Sequence, residues 1–347
     1  MKNVDYIVVG LGIAGISLCE QLLAQNKSFI VIDNGKPGAT ANSGGVFNPT
    51  VLKRFTVTWN ASQFYPEAVS FYRNISEKLN QQIFVENPIL RVFKSVEEQN
   101  NWTVASDKNE LQPYLSTEFL KNNNNNISAP LGFGKVLGTA QINVSNLLTG
   151  YRKYLKNNNH LFEEEFNYQA LKQANGTVTY NNYTATTVIF AEGAGAKRNP
   201  FFPQKALKGN KGEYIIIKAP ELKLQSLLKD AFYIIPLGDD CYKVGATFNR
   251  ESLTLETTQA ARDEIISKLK KMINCPFELV GQTAGIRPTT QDHKPLIGSV
   301  PQFKNIVFFN GLGSRGFLMA PLVSKILINA ITQNTAMPKD MDINRML

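Results

Sequence analysis

Apolar and polar positions along the chain alternate between two textures. Residues 4–9 form an apolar run, Tyr6-Ile7-Val8-Val9 at its core, that stops at Gly10. A run of this kind reads as a strand buried on both faces. Over residues 15–24 the apolar positions Ile16, Leu18, Cys19, Leu22 and Leu23 recur at helical spacing. Residues 28–32 make a second apolar strand, ending at Asp33. Strand, helix and strand together take about 30 residues, the size of a parallel crossover unit. Residues 35–49 are rich in small and polar types and predict a loop; residues 65–79 predict an amphipathic helix.

Beyond Gln81 the texture turns to short β-rich segments, Ile83-Phe84-Val85 and Leu90-Arg91-Val92-Phe93. The asparagine run 122–126 predicts an exposed loop. Residues 143–155 read as a helix capped by Asn143 or Ser145. A hairpin is expected around Asn181-Asn182, joining 177–180 to 183–187, followed by a buried strand over 188–191. β texture returns at 214–217, 232–236 and 242–247, and a helix is predicted over 257–273. The chain closes with a strand at 306–309, a glycine-rich turn and a helix over 320–331. The alternation predicts an α/β fold of mixed α+β character. A Rossmann-type domain made of 1–80, 140–205 and 281–347 is interleaved with a β-rich substrate domain made of 81–139 and 206–280.

Composition agrees with this reading. At 347 residues the chain is long enough for about two domains. Its 43% apolar and 19% charged residues exclude a disordered or fibrous polymer. Two histidines, His160 and His293, lie too far apart in sequence to suggest a multi-histidine centre, and no metal is expected. Cys19, Cys241 and Cys275 form no C-x-x-C pair and read as free thiols in a reducing compartment. The N-terminus runs directly into a short strand, and no segment approaches about 18 continuous apolar residues. A cytoplasmic protein without a membrane span is therefore expected. The net charge of +9 permits a polyanionic partner. Its densest run, Lys268-Leu269-Lys270-Lys271, ends a predicted helix, where cations suit the macrodipole.

The sharpest motif is Gly10-Leu11-Gly12-Ile13-Ala14-Gly15, between the first strand and the first helix. Gly10 turns the chain off the strand, Gly12 lets a diphosphate approach the backbone, and Gly15 lets helix and strand pack closely. The helix start offers free N–H groups to the phosphates. Asp33, eighteen residues beyond Gly15, is placed to accept from a ribose diol, with Asn34 beside it. Three further small-residue elements favour FAD over NAD. They are Thr40-Ala41-Asn42-Ser43-Gly44-Gly45, Ala191-Glu192-Gly193 with Gly195, and Gly311-Leu312-Gly313-Ser314-Arg315-Gly316-Phe317-Leu318. The last opens a helix, and its N–H groups would stabilise charge that develops on a reduced flavin ring.

With these motifs in hand, the chain resembles the D-amino-acid oxidase superfamily of FAD enzymes, which includes glycine oxidase and sarcosine oxidase. The resemblance runs in order from the N-terminal loop through Ala39–Gly45. It continues through Gly285-Ile286-Arg287-Pro288 with Asp292-His293-Lys294-Pro295 and ends in the closing turn from Asn310 to Pro321. It implies noncovalent FAD, because no cysteine stands near Gly285, where related enzymes attach flavin covalently. Asp33 in place of the usual glutamate, and Glu192 in the middle motif, depart from the pattern. The implied chemistry is oxidation of a C–N bond in a small amine or amino acid, by hydride transfer to flavin N5 and hydrolysis of the imine.

Arg287 then matches the arginine that clamps a substrate carboxylate, and Tyr233 a tyrosine that reaches the same group. Arg315 is placed to face flavin or substrate. The plainer reading of Arg287 is a salt bridge to Asp292. Lys211 is a weaker candidate for assisting oxygen reduction, and His293 reads as a packed structural residue. The segment Gly44-Gly45-Val46-Phe47-Asn48-Pro49 is also similar to the oxidase half of the bifunctional enzyme that modifies the tRNA wobble uridine. That makes tRNA an alternative substrate. A non-catalytic or electron-relay flavoprotein is a third reading, opposed by the presence of Arg287 and Tyr233.

Overall fold

A computed structural model describes residues 1–174 and 176–347. Two eight-stranded sheets organise the chain. In the first, Lys2–Val9 lies between Phe29–Ile32 and Tyr183–Phe190, and Ile306–Asn310 adds beyond the latter. These pairings are all parallel, as crossover units require. Helices Ile13–Ala24 and Gly316–Thr332 pack against each other on this sheet, and Ala61–Leu79 packs on the second of them. Ile16, Leu18, Leu22, Val323 and Leu327 are wholly buried where they meet. Each such side chain contributes roughly 1.5–3 kcal/mol of burial.

Two expectations are corrected here. The hairpin strand at 183–187 and the buried strand at 188–191 are one strand, Tyr183–Phe190. Its pairing with the first strand runs from Lys2↔Tyr183 to Val9↔Phe190, so the first strand draws both halves into one line. The expected turn does form, with Asn181 in the left-handed region at φ 48°. The asparagine run is not a plain exposed loop. Asn122, Asn124 and Asn126 are half-buried; Asn124 N–H donates to Asn122 Oδ1 at 3.0 Å and Asn126 N–H to Asn124 Oδ1 at 2.9 Å. The amides of Asn124 and Asn126 also reach the carbonyls of Leu222 and Glu221. Side chains that mimic backbone turns build order here without apolar burial.

The second sheet runs Glu278–Thr289, Lys208–Lys218, Cys241–Gly245, Tyr233–Gly238, Leu227–Lys229, Ile89–Val92, Phe133–Val136, Leu115–Leu120. One face is covered by helix Gln259–Leu269, whose start is capped when Ala261 N–H donates to Thr258 Oγ1 at 3.2 Å. The sequence boundary at 281 falls inside the strand Glu278–Thr289, which stays paired with its neighbour from Lys218↔Glu278 to Lys208↔Thr289. Among the described residues, no helix is long and apolar enough to cross a membrane.

Candidate active site

Between the two sheets lies a cavity of about 1090 Å³. That is a little above the usual range for ligand pockets, about 300–1,000 Å³. The Gly10–Ala14 loop forms one wall. Gly10 has φ +98°, and a Cβ there would stand 2.7 Å from the Ala191 carbonyl oxygen. A Cβ on Gly15 would stand 2.0 Å from the Gly10 carbonyl oxygen. Gly15 therefore acts by packing and does not line the cavity. The first helix begins at Gly12 with no side-chain cap of its own; Thr40 Oγ1 accepts from the Ile13 N–H at 3.1 Å. Helix Gly316–Thr332 likewise starts without a side-chain cap, and Gly313, Ser314, Arg315, Gly316 and Phe317 line the same cavity. Two helix starts thus open onto one space and direct N–H dipoles into it.

At one end of the cavity, Asp33 is held from three sides. Oδ2 accepts from Leu11 N–H at 2.8 Å, and Oδ1 accepts from Gly35 N–H at 2.9 Å and from the Arg152 guanidinium. A carboxylate offers about four lone-pair sites, so one remains for a ligand hydroxyl. Asn34 donates to Glu165 Oε2 at 3.0 Å, and Lys36 pairs with the same carboxylate at 2.8 Å. Glu192 lines the cavity and accepts from the Tyr168 hydroxyl and from Asn199 Nδ2, the latter at 2.7 Å. Burial raises its pKa against the pull of those hydrogen bonds.

In the middle, Thr40, Asn42, Ser43, Gly44 and Gly45 pass between the sheets. Lys243, buried on the second sheet, donates to the carbonyls of Asn42 at 3.1 Å and Ser43 at 2.7 Å, which fixes the loop against that sheet. Desolvation lowers its pKa to about 8. The closing turn is tied down as well. Gly313 N–H donates to the Pro288 carbonyl at 2.9 Å, and Asn310 Nδ2 to the Gly193 carbonyl at 2.9 Å.

The far end gathers Arg287, Tyr214, Tyr233 and Arg315. Arg287 lies on Gly212, where a Cβ would come within 2.2 Å of its Nη2, and it donates to the Thr247 carbonyl at 3.4 Å. Its guanidinium also stands by the Tyr214 hydroxyl, whose pKa burial raises and Arg287 and the Gly44 N–H hold back. Asp292 pairs with Arg345 at 2.9 Å, so it does not occupy Arg287. Arg315 donates to the carbonyls of Asn48 and Thr50, each at 2.8 Å, and burial lowers its pKa. Asn48 Nδ2 donates to the Tyr233 hydroxyl at 3.4 Å. Neither arginine has a carboxylate partner among the described residues.

Most residues singled out from the sequence meet at this cavity. Ala41 and Leu318 do not line it; Leu318 is buried in the helix core instead. Lys211 is buried and pairs with Glu213 at 3.2 Å, outside the lining, so it is structural. His293 is not packed but exposed, on a turn with φ 59°. Sequence reasoning missed Arg152, Tyr214, Lys229 and Lys243. Their roles depend on which strands become neighbours.

A glycine-rich loop, two helix starts on one large cavity and an arginine without a carboxylate partner at its end agree with the family that the sequence comparison shows. The chain belongs to the DAO family, the FAD dependent oxidoreductases, whose model matches residues 5–330. It is thus an FAD-dependent oxidoreductase with FAD as its cofactor. It is similar to the D-amino acid dehydrogenase of Helicobacter pylori, 29% identical over 234 residues, which covers 60% of this chain and 54% of that protein. It is similar also to the tRNA 5-methylaminomethyl-2-thiouridine biosynthesis bifunctional protein MnmC of Campylobacter jejuni subsp. doylei, 24% identical over 308 residues, which covers 86% of this chain and 46% of that protein. The chain spans about half the length of these two relatives. The fold matches glycine oxidase from Geobacillus kaustophilus with a TM-score of 0.75 at 19% identity, covering 97% of this chain and 96% of that one.

Proposed function

We propose that this family member oxidises the C–N bond of a small carboxylated amine. The observation that carries the reading is Arg287, a guanidinium at the cavity's end with no acidic partner, set beside the Tyr214 hydroxyl. Its planar fork suits a carboxylate held in two places. In this reading Gly10, Gly12, Ile13 and Ala14 cradle the FAD diphosphate and Asp33 takes a ribose hydroxyl. Thr40–Gly45, Ala191–Gly193 and Gly313–Phe317 surround the remainder. The strands of the first sheet carry the cofactor, and the face of the second supports the substrate.

Bound FAD supplies a two-electron acceptor for the hydride that leaves the α-carbon. The chain's own residues do the rest. Arg287 and Tyr233 fix the substrate so that its α C–H is aimed at one place. Arg287, Arg315 and Lys229 make this end strongly positive. That disfavours an ammonium and delivers the amine with its lone pair free. The amine proton leaves to solvent, and water hydrolyses the released imine.

The test is anaerobic mixing of the FAD-loaded protein with glycine, sarcosine, D-amino acids and L-proline. Loss of the oxidised flavin absorbance with at least one of them is expected. A second reading has the same site act on a carboxymethylaminomethyl nucleoside in tRNA. It is favoured by the similarity to MnmC across most of this chain and by the net charge of +9. Bleaching by undermodified tRNA alone, weakened steeply by salt, would select it.

A further inference from the structure

We infer that the substrate end holds two anion subsites, one at Arg287 and one at Lys229, and that the preferred substrate is an amine bearing two carboxylates. This rests on the amine-oxidising reading above and narrows its substrate class.

The inference comes from the register of the second sheet. Tyr214 lies opposite Gly245, Gly245 opposite Tyr233, and Tyr233 opposite Lys229. Directly opposed residues project from the same face of a sheet. The four therefore form one row across four strands and line the cavity. Gly245 contributes no side chain, so the row has a gap between its two tyrosines. Strands stand about 4.8 Å apart, which separates the backbones of Tyr214 and Lys229 by roughly 14 Å. Arg287 stands at the Tyr214 end. Lys229 stands at the other, its Nζ 5.0 Å from the centre of the Tyr233 ring.

Among the described residues no carboxylate pairs with the Lys229 ammonium. Its Nζ donates only to backbone carbonyls, those of Asp230 at 2.8 Å and Ala231 at 3.3 Å. The adjacent Asp230 carboxylate pairs with Lys94, and the neighbouring Arg91 pairs with Glu98. The four acidic residues that line the cavity, Asp33, Glu164, Glu165 and Glu192, belong to the opposite end. Desolvated cations without partners are costly, and one carboxylate at Arg287 cannot reach across the row to relieve a second. An amine flanked by two carboxylates can satisfy both.

The reaction balances with the established cofactor as oxidant. The hydride of one α C–H, with its electron pair, passes to FAD, and the nitrogen lone pair forms the C=N bond. The N–H proton goes to solvent, and water releases an oxo acid and an amine.

The experiment compares anaerobic bleaching of the FAD-loaded enzyme by iminodiacetate and D-aspartate with bleaching by sarcosine and D-alanine. It is repeated in Lys229→Met and Lys229→Arg. Half-saturation by the dicarboxylates should lie about tenfold or more below that of the monocarboxylates, the worth of one charge-assisted hydrogen bond. Lys229→Met should erase that preference, and Lys229→Arg should restore it. Titration with unreactive malonate against acetate, read as a shift of the flavin spectrum, should show the same ratio even where Lys229→Met fails to fold. Bleaching with no dicarboxylate preference, and malonate no tighter than acetate, would discard the second subsite and leave the amine-oxidising reading intact. No bleaching by any small amine would remove that reading and the subsite with it.

Discussion

The two ends of the cavity handle charge in opposite ways. Around Asp33 the protein meets its own charges: Arg152 bridges Asp33 and Glu163, Lys36 pairs with Glu165, and Glu192 accepts from Tyr168 and Asn199. At the other end Arg287, Arg315 and Lys229 rest on backbone carbonyls and tyrosines, with no carboxylate paired to them among the described residues. Both ends sit in one cavity and belong to one fold, so the contrast is not a property of the scaffold. A site for a cofactor that stays bound can settle its charges within the protein. A site for a substrate that comes and goes keeps its cations open, at a cost in stability, because the arriving anion neutralises them.

The largest expected effect breaks the cofactor end. Gly12→Val places two methyl groups where the first helix opens into the cavity, on a Cβ that would stand 3.1 Å from Thr40 Oγ1. FAD affinity should fall about 1,000-fold, or about 4.1 kcal/mol, with the far-ultraviolet circular dichroism unchanged. Flavin absorbance that co-migrates with the protein on gel filtration is the measurement. Undiminished affinity would move the diphosphate elsewhere.

Next comes the substrate end. Arg287→Ala should cost about 2–4 kcal/mol in kcat/KM for a carboxylated amine. Arg287→Lys should recover only part, because it keeps the charge and loses the fork. Unchanged kinetics would remove Arg287 from the site.

A pH titration sharpens the contrast further. Burial, with Arg91 adding repulsion and Asp230 opposing it, lowers the Lys229 pKa to about 8. Arg91, Asp230 with its partner Lys94, and Tyr233 are the charged or titratable groups around it. Below pH 8 the ammonium is present to meet an anion; above it the proton is lost. Malonate affinity should therefore fall across that point by the roughly tenfold that the ammonium contributes and then level off, a break that Lys229→Met should lack. Malonate is the right probe because it carries no group that titrates in that range. A flat malonate profile would mean that the second carboxylate does not depend on Lys229.

These regions were not equally legible in the sequence. The first crossover can be read locally because each glycine's task is set by residues close to it in the chain. Arg287 and Tyr233 came from resemblance to a family, and both line the cavity. Lys229 could not be read at all. In sequence it is the end of a short apolar strand, and it acquires meaning only when Tyr214, Gly245 and Tyr233 fall into register beside it. The asparagine run failed for a different reason. Composition shows that it has no apolar core, but not that its amides will satisfy backbone groups of a distant segment.

The smallest expected effect tests whether the paired end is as self-contained as it looks. Arg152 projects from helix Val144–Asn157 and holds both Asp33 and Glu163, the latter at 2.8 Å. In Arg152→Met the Asp33 carboxylate keeps its two backbone donors, Leu11 N–H and Gly35 N–H. Loss of the pair should then weaken FAD by less than about 1 kcal/mol, under about fivefold in Kd, and the loss should shrink in high salt. Fluorescence titration of the apoprotein with FAD measures it. A loss beyond about tenfold would show that Arg152 holds the cofactor itself, and the partnered end would then resemble the open one more than its hydrogen bonds suggest.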